Sequence, residues 1–520
     1  MHLMPRPIVF DRFAAWGLAN WGPPLAVGIV ALALRLHGLA AKPLWLDEVA
    51  TLHRATIGFS AMVADALHSK HYPTYFGLIW MIAKLGGASP WLLRLPSAVF
   101  GAIEAALVVA IGREADKPRT GIAAGLLLGF SPFDVQYGQE ARSYTLVAAL
   151  ILVALWALVR LARQTTTQQA TASEPQPSRR GAWLVYGGGT LAALCVLNVA
   201  MPWLVASNIA ACLIAWRARQ RRVFLRSWAV TQAVILALWL PALGAVLYAS
   251  RGAALEGPGW ALPEKWAALW SIIGPVYLDR ISAFITFDML PAAVPGLSWV
   301  IAVLAAYGAW RLRRKPRALI VIGCAACVLP LLLLLVSRVT PVLVPRYFAW
   351  SAAPFFILAG AGIARLSSWR YAGALAAFVL VALINLEPYY QLETKPRWDL
   401  AAARLAGETQ PGDVVLFNSW GAYYVASAFA KQSGLDRQNL ALTWKPAEAV
   451  RFEPGHALWV VFGRAGQGNM ERPADYVMLL SQLGRPASEE KIGRYITIWR
   501  FAAPDAVANA ADSSGAGKTN

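Results

Sequence analysis

The first residues suited to chemistry are two adjacent carboxylates, Asp47 and Glu48, which end the segment Pro43-Leu-Trp-Leu-Asp-Glu. They follow closely on an apolar stretch that is long enough to cross a bilayer. Charges beside a membrane helix are costly unless they are hydrated, paired or used for function. A general base with a supporting acid is one interpretation. A solvated loop carboxylate or a helix cap is the other, and the pair alone does not decide between them.

Three histidines follow in the same segment, His53, His68 and His71. Carboxylate and imidazole groups together suit zinc or manganese. The spacing of these residues matches no standard ligand motif. No metal ligand is therefore assigned, and a divalent metal stays open as a cofactor.

A second polar segment, residues 131–144, carries Asp134, Glu140 and Arg142 between two apolar stretches. An ion pair within this turn could simply anchor it. Further along the chain Arg346 lies in another short polar segment, where it could be an arginine that reaches the membrane interface. Carboxylates and arginines gathered on one face of a membrane would nevertheless suit chemistry on an anionic lipid headgroup.

The elements that must position these groups are membrane helices. The chain has 520 residues, of which 58% are hydrophobic and 14% charged, whereas a soluble domain carries about 25% charged residues. Its apolar runs match a hydrocarbon core of about 30 Å, and the alternating pattern of a membrane barrel does not appear. About eleven spans are predicted, at 17–36, 91–111, 121–134, 143–160, 182–198, 200–216, 228–249, 296–310, 318–337, 347–364 and 371–386.

Basic residues set the orientation of these spans. The net charge is +19, and clusters of Arg and Lys at 113–119, 217–226 and 311–317 lie between apolar stretches. Such clusters mark the cytoplasmic side. They predict a multi-pass protein of the bacterial inner membrane, surrounded by membrane lipids, with a cytoplasmic N-terminus. The same placement argues against nucleic acid as a partner.

Small residues within the spans have structural interpretations. Gly121, Gly125 and Gly129 recur every four residues and predict close helix packing. Cys324 and Cys327 form a Cys-x-x-Cys pair, but no second pair completes a zinc site. A helix-packing face is the favoured interpretation for these cysteines.

After residue 386 the pattern becomes that of a small α/β domain. Helices are predicted at 399–405 and 422–431, and strands at 414–418, 458–462 and 495–501. The predicted organisation is a membrane domain at 1–386, a periplasmic α/β domain at 387–502 and a disordered tail at 503–520.

Taken together, the motifs resemble those of membrane glycosyltransferases with the GT-C fold. The similarity is greatest to bacterial relatives of the protein O-mannosyltransferases and to the aminoarabinose transferases of lipid A. The matching segments are Leu44-Trp-Leu-Asp-Glu48, Leu93-Arg-Leu-Pro-Ser97, Ser131-Pro-Phe133, Gln139-Glu-Ala-Arg-Ser-Tyr144, Pro345-Arg-Tyr347 and Arg397-Trp-Asp399. One departure is Tyr72, because many relatives read His-Pro-Pro where this chain has His-Tyr-Pro.

The resemblance implies an inverting transfer of a sugar from a polyprenyl-phosphate carrier to a lipid, glycan or protein acceptor on the periplasmic face. The implied catalytic carboxylates are Asp47 as general base, Glu48 and Glu140. The implied ligands of the carrier phosphate are Arg142, Arg346, Lys70, Arg94 and Tyr347, and the residues implied to contact the acceptor or the sugar are His71, Tyr72 and Tyr144. A transporter or flippase of lipid-linked sugars is the alternative. Against it, the sequence has no clear internal repeat, which many transporters have.

Overall fold

A computed structural model describes residues 18–167, 177–218, 220–251, 280–282, 289–291, 294, 296–339, 342–437, 440–449, 455–463 and 474–501. The predicted tail at 503–520 lies outside these residues. The chain divides into two units, each described here by itself. A helical unit comprises 1–39, 54–281 and 290–390, and a mixed unit comprises 40–53, 282–289 and 391–520. The predicted boundaries at 386 and 387 do not anticipate that residues 40–53 join the mixed unit.

The helical unit is built from long apolar helices and a few short ones. Its helices are α1 (Leu18–Leu36), α3 (Phe59–His68), α4 (Pro73–Gly86), α5 (Pro90–Ala115), α6 (Pro118–Gly129), α7 (Pro132–Gly138), α8 (Tyr144–Thr167), α9 (Pro177–Leu194), α10 (Met201–Trp216), α11 (Arg221–Ala249), α12 (Leu297–Leu312), α13 (Pro316–Val336), α14 (Ala349–Ile363) and α15 (Ser368–Gln391). Helix α2 (Leu46–Thr56) contains the sequence boundary between the units, after His53. Two short strands, β1 (Arg280–Ser282) and β2 (Met289–Pro291), pair with each other.

Each of the eleven predicted spans coincides with a helix. Within the described residues six helices are long and apolar enough to cross a membrane, and two shorter apolar helices accompany them. The number of crossings therefore stays a prediction. The predicted span 121–134 is wrong at its end, because α6 ends at Gly129 and a separate helix begins at Pro132. Proline is favoured in the first turn of a helix, where its missing N–H costs nothing.

Glycines allow the central helices to approach one another closely. A Cβ atom on Gly121 would collide with the carbonyl oxygen of Val109 in α5, and one on Gly125 with the Val109 side chain. Gly308 of α12 lies against the backbone of α14 in the same way. The prediction of close packing at the glycine repeat is confirmed for Gly121 and Gly125.

The mixed unit contains a five-stranded sheet in the order β4-β3-β5-β7-β6. Its strands are β3 (Val414–Phe417), β4 (Ala441–Thr443), β5 (Leu458–Gly463), β6 (Ser488–Ile492) and β7 (Ile496–Phe501), and its helices are α16 (Trp398–Glu408), α17 (Trp420–Ser433), α18 (Pro446–Ala449) and α19 (Ala474–Leu483). Strands β4 and β5 run parallel to β3, whereas β7 is antiparallel to β5 and β6. The predicted helices and strands of this unit are confirmed, and the structure adds two short edge strands, β4 and β6, and the helices α18 and α19.

Candidate active site

In the mixed unit, the first turn of α2 carries both Asp47 and Glu48. Glu48 is fully buried, and its Oε2 lies 2.8 Å from Nζ of Lys395, whose side chain is 5% exposed. A buried charge is tolerated only when it is paired, because desolvation otherwise disfavours it strongly. The carboxylate predicted as a supporting acid is thus held by a lysine distant in sequence.

Asp47 is half-buried, one residue before this ion pair. Thr51 Oγ1 donates to the backbone oxygen of Asp47 at 3.1 Å, which ties the first turn of the helix together. The N-terminus of a helix favours negative charge, because its first N–H groups point outward without partners. Trp45, which immediately precedes the helix, is buried and packs against buried Tyr495 of the same unit. Asp47 therefore lies at the helix end that interacts favourably with negative charge.

In the helical unit, the polar segment around α7 is buried throughout. Ser131 caps the helix, with its Oγ accepting from the backbone N–H of Asp134 at 3.4 Å. Gln139 Nε2 donates to the backbone oxygens of Arg35 at 2.9 Å and His37 at 2.6 Å, and its Oε1 accepts from the hydroxyl of Tyr389 at 2.9 Å. One amide thereby connects this segment to the first and last helices of the unit.

Arg35 occupies the space beneath α7. It is fully buried, and its Nη1 donates to the backbone oxygens of Ala31 at 3.0 Å and Gly129 at 3.2 Å. Gly101 and Gly138 flank the arginine so closely that a Cβ atom on either would clash with it. The two glycines make the room in which this side chain lies.

Two carboxylates, Asp134 and Glu104, attract the Arg35 guanidinium through space. Among the residues that the structure describes, Nε and Nη2 of Arg35 and Oδ2 of Asp134 have no hydrogen-bond partner. Burial raises the pKa of Asp134 to about 7, although the positive charge of Arg35 opposes this shift. Asp134 is therefore a buried carboxyl group that titrates near neutral pH.

Arg142 and Tyr144 lie together at the end of the same segment. The guanidinium carbon of Arg142 is 5.9 Å from the centre of the Tyr144 ring. Ser97 Oγ donates to the backbone oxygen of Arg142 at 2.9 Å, and the Tyr75 hydroxyl lies 3.4 Å from Ser97 Oγ. Glu140 is buried as well, at 3% exposure. Three of the predicted site residues thus occur within five positions, in a segment that α5 supports.

The remaining predicted arginines are also buried. Arg94 Nη1 donates to the backbone oxygen of Leu39 at 2.8 Å, so this side chain connects α5 to the end of α1. Arg346 lies in a short 3-10 helix, Pro345–Phe348, and its guanidinium carbon is 5.9 Å from the centre of the Tyr347 ring. Buried cations of this kind are suited to binding phosphate, for which arginine offers a planar fork of donors.

The segment at residues 69–72 follows α3. Lys70 has a φ of +62°, an uncommon left-handed conformation for a residue other than glycine. His71 Nδ1 lies 2.6 Å from the backbone oxygen of Ser69 and therefore carries the proton of that hydrogen bond. The Tyr72 hydroxyl accepts from Trp239 Nε1 at 3.0 Å, and burial raises the pKa of Tyr72, which keeps the phenol neutral.

The described residues contain no group of three or more His, Cys, Asp or Glu side chains close enough to hold a metal ion. His53 is exposed and belongs to the mixed unit, where the centre of its ring is 6.3 Å from the centre of the Tyr424 ring. His71 belongs to the helical unit, where the centre of its ring is 5.8 Å from the centre of the Phe76 ring. The four cysteines are all unpaired thiols.

Sequence reasoning missed three residues that organise these groups: Arg35, Glu104 and Lys395. It singled out Asp134 in its polar segment but gave that residue no catalytic role. A signal was present for Arg35 and Glu104, because an ionisable residue within or beside an apolar span is expensive and is usually kept for a purpose. Lys395 gave no such signal, because it lies beyond the last apolar stretch.

Comparisons with known proteins agree with this architecture. Residues 70–245 match the model of a family described as dolichyl-phosphate-mannose-protein mannosyltransferase. The structure is similar to that of ArnT from Cupriavidus metallidurans in the apo state, with a TM-score of 0.60 and 12% identity over 93% of this chain and 98% of that chain. ArnT from the same organism bound to undecaprenyl phosphate gives a TM-score of 0.57 and 13% identity, with the same coverage of both chains.

A more distant likeness is to the oligosaccharyltransferase of Archaeoglobus fulgidus in its apo form. Here the TM-score is 0.50 and the identity 12%, over 81% of this chain and 64% of that chain. No curated protein sequence matches the chain. The protein therefore has the fold of the GT-C membrane glycosyltransferases, and the resemblance inferred from the motifs is confirmed. At these identities the structural matches show the fold alone.

Proposed function

We propose that the protein transfers a sugar from a polyprenyl-phosphate carrier to an acceptor on the periplasmic face of the bacterial inner membrane, with the C-terminal domain on that side. The observation that carries this proposal is the shared fold over 93% of the chain with ArnT, one structure of which is bound to undecaprenyl phosphate. The match of residues 70–245 to a family named for a dolichyl-phosphate-linked donor supports the same class of carrier.

The residue types suit the reaction. The acceptor nucleophile must lose a proton as it attacks the anomeric carbon, and Asp47 is the proposed base. Glu48 is a weaker candidate for that role than the sequence suggested, because Lys395 already neutralises it at 2.8 Å. We assign Glu48 to positioning α2 so that Asp47 is presented from the first turn.

The leaving group is a phosphate, which departs without a strong general acid. It instead requires positive charge where negative charge develops. Arg142 and Arg346 are the proposed ligands of this phosphate, with Lys70, Arg94 and Tyr347 as further candidates. Glu140, beside Arg142, is a second candidate carboxylate, and His71, Tyr72 and Tyr144 are proposed to contact the acceptor or the sugar. A single displacement of this kind inverts the anomeric carbon.

The test uses the purified full-length protein in nanodiscs, with a panel of radiolabelled polyprenyl-phosphate sugars and an envelope extract as acceptor. Wild type is compared with Asp47→Asn and with Asp436→Asn, which makes the same substitution at an exposed position of the same unit. We expect wild type and Asp436→Asn to label a product and Asp47→Asn to lose at least about a hundredfold in rate, in line with the loss of a general base.

Full activity of Asp47→Asn would overturn the assignment of the base while keeping the class of reaction. Carrier binding with movement of label across the membrane of a reconstituted vesicle, but no labelled product, would identify a flippase of lipid-linked sugars. Absence of binding to every carrier would overturn the proposed donor class.

A further inference from the structure

A basic pocket lies where three long apolar helices end or begin. The candidate spans end at Ala115 and Gln164, and a third starts at Pro316. The cavity between these ends has a volume of about 540 Å³, within the range of sites for small ligands. Six cationic side chains and two carboxylates line it: Arg113, Lys117, Arg163, Arg314, Lys315 and Arg317, with Glu114 and Asp116.

The two carboxylates in the wall are already neutralised. Glu114 accepts from Arg163 Nη1 at 2.6 Å. The Asp116 side chain is 1% exposed and is paired with Lys315 at 3.0 Å and with Arg365 at 2.9 Å. Burial opposes ionisation of Asp116, but the hydrogen bonds it accepts outweigh this and lower its pKa. Both acids in the wall are therefore already engaged by cations.

Lys117 and Arg314 add further positive charge to the wall. Neither forms an ion pair with a residue that the structure describes. Burial and the nearby positive charge of Arg365 both lower the pKa of Lys117, as expected for an ammonium group crowded by like charges. An anion entering the pocket would relieve this repulsion.

Two helices also begin at the pocket. Helix α6 starts at Pro118 with Lys117 as its N-cap, and α13 starts at Pro316 with Lys315 as its N-cap. Neither lysine side chain can accept a hydrogen bond, so neither side chain caps the first turn of its helix, although the backbone oxygen of Lys117 accepts from the N–H of Thr120 at 3.0 Å. The positive ends of two helix dipoles thus add to the side-chain charge.

We propose that this pocket binds a phosphate ester anion, and that the source is the headgroup of an anionic membrane phospholipid. The ends of three apolar helices place the cavity at the level where headgroups lie. Trp310, in the last turn of α12, is 47% exposed and stacks under Arg313 at 4.4 Å, an arrangement typical of a membrane interface. Two of the basic clusters predicted to be cytoplasmic, at 113–119 and 311–317, line the pocket, and anionic lipids are enriched on that leaflet. The inference is independent of the proposed transfer reaction.

The test measures lipid binding by native mass spectrometry on the delipidated full-length protein. Phosphatidylglycerol and cardiolipin are compared with phosphatidylcholine, and glycerol phosphate and inorganic phosphate are added as soluble competitors. The variant is Lys117→Gln/Arg314→Gln. Its control is Arg222→Gln/Arg370→Gln, which removes the same charge from two exposed arginines that do not line the pocket.

We expect the pocket variant to bind the anionic lipids about thirtyfold more weakly than wild type, and the control within about twofold. Arg314→Gln alone, at an exposed position, should weaken binding of the anionic lipids about fivefold. Unchanged lipid affinity in both pocket variants would overturn the proposal. Displacement of the lipid by millimolar inorganic phosphate would support phosphate recognition but assign the source to a soluble anion.

Discussion

Nζ of Lys395 lies 2.8 Å from Oε2 of Glu48, although the two residues are separated by 347 positions in the chain. Both side chains are almost wholly buried, with exposures of 5% and 0%. The ion pair fixes the beginning of α2 to the segment that leads into the α/β domain. Because Asp47 is the neighbour of Glu48 in that turn, the geometry of the proposed base depends on this pair.

Loss of one partner of the buried pair should therefore be costly. Lys395→Met leaves the Glu48 carboxylate without its buried partner, and we expect the free energy of unfolding to fall by about 3–5 kcal/mol. The double variant Glu48→Gln/Lys395→Met should recover most of this loss, because no charge remains buried. Thermal unfolding in detergent measures both effects.

The matched control is Lys445→Met, which breaks an ion pair with Glu448 whose side chains are 56% and 55% exposed. An exposed pair contributes less than about 1 kcal/mol. Equal destabilisation by Lys395→Met and Lys445→Met would contradict the importance assigned to the buried pair.

The titration of Asp134 should make the stability of the helical unit depend on pH. Its pKa is raised from 3.8 to about 7, so the folded state keeps a proton that the unfolded state releases. The free energy of unfolding therefore falls as the pH rises from about 4 to about 7, by at most about 1.4 kcal/mol per pH unit. Above pH 7 this group changes the free energy of unfolding little. Asp134→Asn should reduce this slope. Unfolding temperatures at pH 5, 6, 7 and 8 test it, with Asp436→Asn as a control that should retain the wild-type slope.

Gly101 should not tolerate a methyl group. A Cβ atom there would lie 2.5 Å from Nε of Arg35, whose Nη1 donates to two backbone oxygens and which cannot move away without breaking these hydrogen bonds. We expect Gly101→Ala to destabilise the protein by about 1–3 kcal/mol through overpacking. Gly373→Ala, at a helical position with open space around it, should be neutral or stabilising. A stabilising Gly101→Ala would show that the arginine is not confined as the structure indicates.

Substitution of Arg142 should lower the rate of sugar transfer more than it lowers the stability of the fold. Replacement by Gln removes a buried positive charge proposed to stabilise the departing phosphate, and we expect kcat/KM for the carrier to fall by about 100- to 1,000-fold. Arg338→Gln, at an exposed position, should lose less than about threefold, the loss expected for a screened surface charge. Label transfer at matched expression provides the measurement. An Arg142→Gln variant with wild-type kcat/KM would remove this residue from the phosphate site.

Most long helices of the helical unit could be predicted from the hydropathy pattern alone. A long apolar run in a bilayer can satisfy its backbone hydrogen bonds only as a helix. The end of the predicted span 121–134 could not be predicted in this way. A hydropathy pattern does not show that one helix stops at Gly129 and that another starts at Pro132, with Ser131 as its cap. The two strands β4 and β6 also escaped prediction. Both are short edge strands, with three and five residues, and a pattern that short is not distinctive.

The amino-acid sequence by itself determined the helices, the basic clusters between them, the α/β character of the C-terminal segment and the motif that carries Asp47 and Glu48. Those properties follow from local periodicity and hydropathy, which are encoded in neighbouring residues. Only the tertiary structure decided that Lys395 neutralises Glu48, that Arg35 lies between Gly101 and Gly138 near Asp134, and that three separate basic segments line one pocket. These relationships depend on which buried charges are brought within a few ångströms by packing. Residues far apart in the chain are unrelated until the helices that carry them are in contact.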